Sequence, residues 1–216
     1  MIRDLIKSML RITDTGPSMV DCVKYPVKCT DGYAGNSLLE KNILFCIKSD
    51  RSFGNEIEAA SQTDSFNYKV LKIKDIEEIE SISEENSVLG TYDKIINILE
   101  FDAKDYALIN HSDFNNNDML YMVYRLLQVE ATYMINNSGD GIATALIGNR
   151  NSTGILDETI CNFLKGLGLP LAKHRIICNS LFATDEVPLA DIVGTLVFLI
   201  SKYGYELNGE MLKLGN

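Results

Sequence analysis

Positive charge is scarce in this chain: 20 Lys and Arg stand against 30 Asp and Glu, the formal net charge is −10, and no run of five basic residues occurs. Such a field repels phosphate backbones and anionic lipids, so neither nucleic acid nor a membrane surface is an expected partner. Long apolar runs are missing as well. No stretch reaches the ~18 residues that a membrane span needs. Met1–Ile12 mixes charges through its apolar residues, so no secretory signal is expected there. The five cysteines, Cys22, Cys29, Cys46, Cys161 and Cys178, are odd in number, and their spacing matches no common zinc pattern. Cys46 and Cys178 lie inside apolar runs and read as buried thiols, which makes a reducing cytoplasm the simplest expected setting. His111 and His174 are too isolated to build a metal site, and no metal is expected. His174 follows a helical pattern, where a cation is favourable for electrostatic reasons alone.

What is present is a large apolar fraction, 46% of 216 residues, with an ordinary 23% charged. That supports one large α/β domain or one domain with a small appendage. Residues 1–40 form the appendage: Ile2, Leu5, Ile6, Met9 and Leu10 share one helical face, suited to packing on the chain's own domain or to docking on a partner, and Thr13–Pro17 breaks the pattern. Residues 18–29 read loosely as a strand or hairpin arm. Over 41–216 strand-like and helix-like segments alternate. Asn42–Ile47, Tyr68–Ile73, Lys94–Leu99, Ile142–Ile147, Arg175–Leu181 and Met211–Leu214 read as strands. Phe53–Ser61, Asp75–Ser83, Asp118–Met134, Leu156–Ala172 and Pro188–Ser201 read as helices, with Asp118 as a cap and Pro188 near a first turn. This alternation predicts a doubly wound, Rossmann-like parallel sheet with Met211–Leu214 at an edge.

Three C-terminal pieces carry a family likeness. Ala172–Asn179 has the form of a helix end leading into a core strand that finishes on Asn179. Pro188–Ser201 is an apolar helix whose stripe runs through Leu189, Ile192, Val193, Leu196, Phe198 and Leu199, and Leu207–Asn216 sets Gly209 before a short strand. In order and spacing these pieces resemble the short-chain dehydrogenase/reductase family, particularly its ketoacyl reductases. The likeness is moderately specific over 142–216, weaker over 41–141, and does not reach residues 1–40.

The resemblance implies a catalytic Tyr-x-x-x-Lys pair, with Tyr as proton donor and Lys lowering its pKa and holding the ribose, and a Ser orienting the substrate carbonyl. Along the family spacing these places fall on Thr153, Asp157 and Gly148, none of which can do the job. The turn Asn149–Gly154 is also shorter than the family's segment between Ser and Tyr. Tyr68-x-x-x-Lys72, the one literal match to the pair, lies on an expected strand far from the chemistry, and Tyr121-x-x-x-Arg125 suits an interface or packing.

The family's Gly-x-x-x-Gly-x-Gly turn corresponds to Lys48–Gly54, where Lys48 and Ser52 stand in two glycine places and Gly54 remains. Lys48 and Arg51 would attract phosphate; Asp50 and Glu56 would repel it. Where the family backs its cofactor with Ala and Gly, this chain has Leu99 and Glu100. No NAD(P) cofactor is therefore expected.

The sequence-level reading is a non-catalytic reductase-like subunit of an acyl, polyketide or fatty-acid reductase system, pairing with itself or with a homologous active reductase or synthase. Leu126, Phe163 and Leu167, on two helices rich in apolar residues, are the expected interface, and an oligomer the expected state. The alternative is an NAD(P)-dependent ketoreductase with a rebuilt site drawn from Asp140, Arg150, Ser152, Thr153 and Asp157. A third possibility is a ligand sensor that keeps a remnant nucleotide crevice.

Overall fold

The computed structural model describes residues 38–74, 91–100, 119–148 and 155–215. In chain order these hold β1 (Asn42–Lys48), α1 (Gly54–Asp64), β2 (Asn67–Lys72), β3 (Lys94–Glu100), α2 (Met119–Asn137), β4 (Gly141–Gly148), α3 (Ile155–Ala172), β5 (Ile177–Thr184), α4 (Leu189–Ile200), a 3₁₀ turn over Lys202–Leu207, and β6 (Met211–Leu214). The strands form one sheet in the order β2-β1-β3-β4-β5-β6. Every pairing is parallel. This is the expected doubly wound, Rossmann-like fold, with β6 at an edge. The expected Met1–Ile12 helix, the 18–29 arm and the 75–83 helix lie outside the described residues.

The four central strands are apolar almost throughout because both of their faces are covered. On one face Ile43, Phe45, Ile96, Ile98, Ala143, Ala145 and Leu181 pack under α1 and α4. On the other, Leu44, Cys46, Ile95, Leu99, Ile142, Leu146 and Cys178 pack under α2 and α3. β2 is the contrast: Asn67, Tyr68, Lys69 and Val70 are all exposed along an edge strand, Tyr68 at 40% and Val70 at 37%.

Several boundaries differ from the sequence reading, for local reasons. β5 starts at Ile177 rather than Arg175, because Arg175 takes a left-handed turn (φ 62°) that joins α3 to the strand. α3 runs through Pro170, which lies on an exposed face two residues before the helix ends. α4 begins at Leu189 with Pro188 as its N-cap. Gly209 has the positive φ expected of it (80°), and its Cα lies so near Gly168 that a Cβ on Gly168 would stand 2.7 Å away. Asn208 fastens this corner: its Oδ1 accepts from Cys178 N at 2.8 Å and its Nδ2 donates to Gly168 O at 3.3 Å. Asn179, the residue that ends the family-like strand motif, is buried and donates to Leu199 O and Gly204 O at 3.1 and 3.0 Å, closing the end of α4.

Candidate functional site

In an open parallel sheet, a ligand crevice forms outside the carboxyl ends of the strands where the strand order reverses. Here the chain runs outward from β1 to β2 and then returns to place β3 on β1's other side, so the reversal lies between Lys48 and Leu99, which are register partners. Three side chains converge just beyond that point. Arg51 Nε lies 3.0 Å from Glu100 Oε1. The Ser49 hydroxyl donates to Glu100 Oε2 and accepts from Arg51 N at 3.0 Å. The Arg51 guanidinium stacks over the Phe53 ring, 5.7 Å from its centre, and Nη1 reaches Asp185 O at 3.4 Å. Arg51 Nε and Nη2 make no aligned hydrogen bond among the described residues, so the contact with Glu100 is a charge pair rather than a bidentate clamp.

This cluster revises the sequence reading of single charges. That reading has Arg51 attracting phosphate and Glu100 standing where the family keeps a small residue; the two instead neutralise each other. The positive end of α1 already carries the Glu56 carboxylate in its first turn. Gly54 begins α1 in an exposed position, and a Cβ there would meet only Ser52 Oγ at 4.0 Å, so no close backbone approach requires glycine. Ser52 is exposed and Lys48 half-buried. Leu99 is fully buried, but on the α2 face, as part of that core layer rather than as a plug.

Gly148 ends β4 opposite Thr184 and is buried; its carbonyl accepts from Asp185 N at 3.1 Å. It has no hydroxyl to offer a substrate. Arg150, Ser152 and Thr153 lie outside the described residues, and Asp157 is placed only as a position within α3. Asp140 does not belong with them. It precedes β4, about 26 Å of strand from Gly148 at ~3.3 Å per residue. There it binds Lys94 Nζ, with Lys41 Nζ at 4.0 Å and Tyr205 Oη donating at 3.3 Å. Lys94 is 1% exposed, and burial lowers its pKa despite Asp140's opposing pull. Burial also pulls Lys41 down, yet Asp93 and Asp140 together outweigh it and hold that ammonium above its ordinary value. This is a lock at the amino end of the sheet, not a reaction centre. Tyr68 and Lys72 are exposed on β2; Tyr68 pairs with Ile43 toward the amino end of the sheet, whereas Lys72 pairs with Ile47, next to Lys48 at the edge of the crevice.

Two open clefts occur elsewhere among the described residues. One of about 710 Å³ lies beside the β5–α4 connection, lined by Thr184, Pro188 and Gly215 with the acidic Glu186 and Asp191. One of about 450 Å³ lies between α1 and α4, with Glu56 and Asp64 in its wall. No described Lys or Arg lines either cleft.

Of the expected interface residues, Leu126 needs correction. It is 1% exposed within the chain's own core under α2, because it lies on the stripe that faces the sheet. Phe163 and Leu167 are half-buried at the margin of that core, and Phe163 packs against Tyr124 with ring centres 5.9 Å apart. Ile135 and Leu169 are 41% and 42% exposed.

The residue that sequence reasoning missed is Glu130. It is fully buried on α2, and Asn97 Nδ2 donates to its Oε2 at 2.8 Å and to Thr144 Oγ1 at 3.2 Å. Burial raises its pKa to about 8, against the opposing pull of Asn97 and Cys46. The signal was available: Glu130 lies seven residues after Val123 and four before Met134, at the centre of an apolar stripe.

No family model matches the sequence, and no curated protein matches it either. Solved structures do match in three dimensions. The 3-oxoacyl-[acyl-carrier protein] reductase of Brucella melitensis aligns over 83% of this chain and 91% of its own, with 11% identity and a TM-score of 0.60. A short-chain dehydrogenase of Leptospira borgpetersenii, solved with bound NAD+, aligns over 82% and 92%, with 13% identity and a TM-score of 0.58. The NADH-type enoyl-[acyl-carrier-protein] reductase of Aquifex aeolicus aligns over 82% and 95%, with 16% identity and a TM-score of 0.62. At these identities the likeness concerns architecture, and the architecture of this chain is the short-chain dehydrogenase/reductase fold.

Proposed function

We propose that this chain is a non-catalytic member of the reductase-like fold that serves as a structural or interaction subunit and holds no NAD(P). The observation that carries this reading is the Ser49–Arg51–Glu100 cluster, which draws the loop after β1 onto the end of β3 where a dinucleotide would need open backbone. Glu56 at the start of α1 and Gly148 at the end of β4 support it, since the first disfavours a phosphate and the second lacks a carbonyl-orienting hydroxyl. The partner is a second copy or a homologous active reductase, engaged through the outer margin of α2 and α3. Two of the structural neighbours are named as reductases of acyl-carrier-protein substrates, which favours an acyl or polyketide reductase system. The free, buried Cys46 and Cys178 suit a reducing cytoplasm.

Calorimetric titration with NADH and NADPH tests the reading. The expected result is no saturable binding. A dissociation constant below about 10 μM, roughly −7 kcal/mol, or cofactor-dependent turnover of a ketoacyl thioester by pure protein, overturns it in favour of a reductase with a rebuilt site.

A further inference from the structure

Cys46, Asn97 and Thr144 are register partners on β1, β3 and β4, so their side chains form one row on the sheet face beneath α2. The row is polar where its surroundings are apolar: Ile95, Leu99, Ile142 and Leu146 flank it. Glu130 descends from α2 onto the middle of this row. Its Oε2 accepts from Asn97, and the Cys46 thiol stands beside the carboxyl. Its Oε1, and the Asn97 Oδ1, are buried without a hydrogen-bond partner among the described residues. The ionisable groups facing it are Cys46 from β1 and Cys178 from β5, both driven up chiefly by burial and then by the carboxyl. β3 and β4 contribute the uncharged Asn97 and Thr144, and α3 contributes apolar Leu164 and Leu171 to the same layer. No described cation acts on the carboxyl. Lys94, the buried ammonium of β3, is committed to Asp140 at the far end of the strand.

Among the described residues such a carboxylate has no counter-ion, and an unpaired buried charge is far costlier than a neutral acid. We propose that the Glu130 carboxyl, seated on the Cys46–Asn97–Thr144 row, is a protonation latch: as the neutral acid it holds α2 on the sheet, and loss of its proton weakens that hold and shifts α2 toward release, which opens that face to water. The latch titrates reversibly, and its release uncovers the two thiols. In the released state Glu130 regains an ordinary carboxylate pKa near 4.5, whereas in the docked state it stays protonated to about 8. The released population therefore grows about tenfold per pH unit between those values and levels off above the higher one.

The test is alkylation of Cys46 and Cys178 by iodoacetamide from pH 5 to pH 9.5, resolved by peptide mass, in the native chain and in Glu130→Gln. Dividing one rate by the other at each pH removes the intrinsic pH dependence of the thiols. The expected ratio climbs about tenfold per unit up to pH 8 and then flattens, and urea raises the rates with a slope smaller than that of global unfolding, because only α2 leaves the sheet. A ratio that stays flat with pH, or a urea slope equal to that of global unfolding, overturns the latch. Difference infrared spectroscopy of the native chain provides a readout that does not depend on the variant folding. A buried protonated carboxyl stretch at pH 7 that disappears on titration through pH 8 is expected; its absence at pH 7 overturns the proposal.

Discussion

Arg51 Nε stands 3.0 Å from Glu100 Oε1 and so ties the loop after β1 to the end of β3 across the reversal in strand order. Both side chains are about a quarter exposed, and the pair lacks an aligned hydrogen bond. The expected coupling in an Arg51→Ala, Glu100→Ala double-mutant cycle is therefore about 0.5 kcal/mol and fades with added salt. Urea denaturation at low and high ionic strength reads it. The double variant is expected to bind NADH no better than the native chain, because Lys48 and Ser52 still stand where glycines would let a pyrophosphate approach.

The Lys94–Asp140 lock responds to pH in a particular direction. Burial lowers Lys94 below its ordinary 10.5, so between its folded value and 10.5 the unfolded chain binds the extra proton and stability rises with pH. Asp140→Asn removes the strongest opposing influence and lowers the folded value further. It is expected to cost about 3 kcal/mol near neutrality, where it leaves a buried ammonium unpaired, and to recover as the pH climbs toward 10. Lys94→Met in the same background is expected to restore most of the loss. Equal stability of Asp140→Asn at pH 7 and pH 9.5 would argue against this.

Glu130 gives the opposite slope. Its folded pKa, about 8, lies above the ordinary 4.5. Below 4.5 both states hold the proton and no difference arises. Between 4.5 and 8 the unfolded chain has lost the proton and the folded chain keeps it, so stability falls as pH rises, by about 1.4 kcal/mol per unit. Glu130→Gln keeps the shape and removes the titration. The difference between the two chains in urea midpoint is expected to widen steadily from pH 5 to pH 8 and then hold constant. A constant difference across the whole range would show that Glu130 is ionised in the folded chain.

How much of this is readable in advance follows from which residues announce their surroundings. β1, β3, β4 and β5 are legible because strands covered on both faces are apolar at nearly every position, as in Ile43–Ile47 and Ala145–Ile147. The Gly209 turn is legible because few residues tolerate its φ. The Arg51–Glu100 pair is not legible, because the two residues are distant in sequence and only the β1–β3 register brings them together. Glu130 escapes for a different reason: a glutamate in a helix is normally solvated, and its burial depends on Asn97, itself bonded to Thr144, both of which interrupt the apolar middles of their strands. Leu126 reads as outward-facing because the whole helix is apolar-rich; the helix phase that turns it inward is set by the sheet.

Association through the outer margin of α3 is the last expectation, and the fold sharpens it. Leu126 serves as a folding control rather than an interface probe: Leu126→Glu buries a charge in the core at 1% exposure and is expected to unfold the chain. Phe163 and Leu167 are half-buried, so part of each side chain remains available while the rest packs on the core. Leu169, on the same helix and 42% exposed, extends the apolar margin outward. A stable pairing of the standard kind would bury about 800 Å² per partner, more apolar surface than these residues supply alone, so α2 with the exposed Ile135 has to contribute. Leu167→Glu and Leu169→Glu are expected to shift the assembly toward monomer in light scattering while leaving the circular dichroism of the fold unchanged. Phe163→Glu is expected to do the same with some loss of stability, since it also breaks the packing on Tyr124. Lys69→Glu, on the exposed edge strand β2, is expected to change nothing. A native chain that scatters as a monomer across the micromolar range, with no reductase co-purifying, would remove the interface and with it the main support for a subunit role.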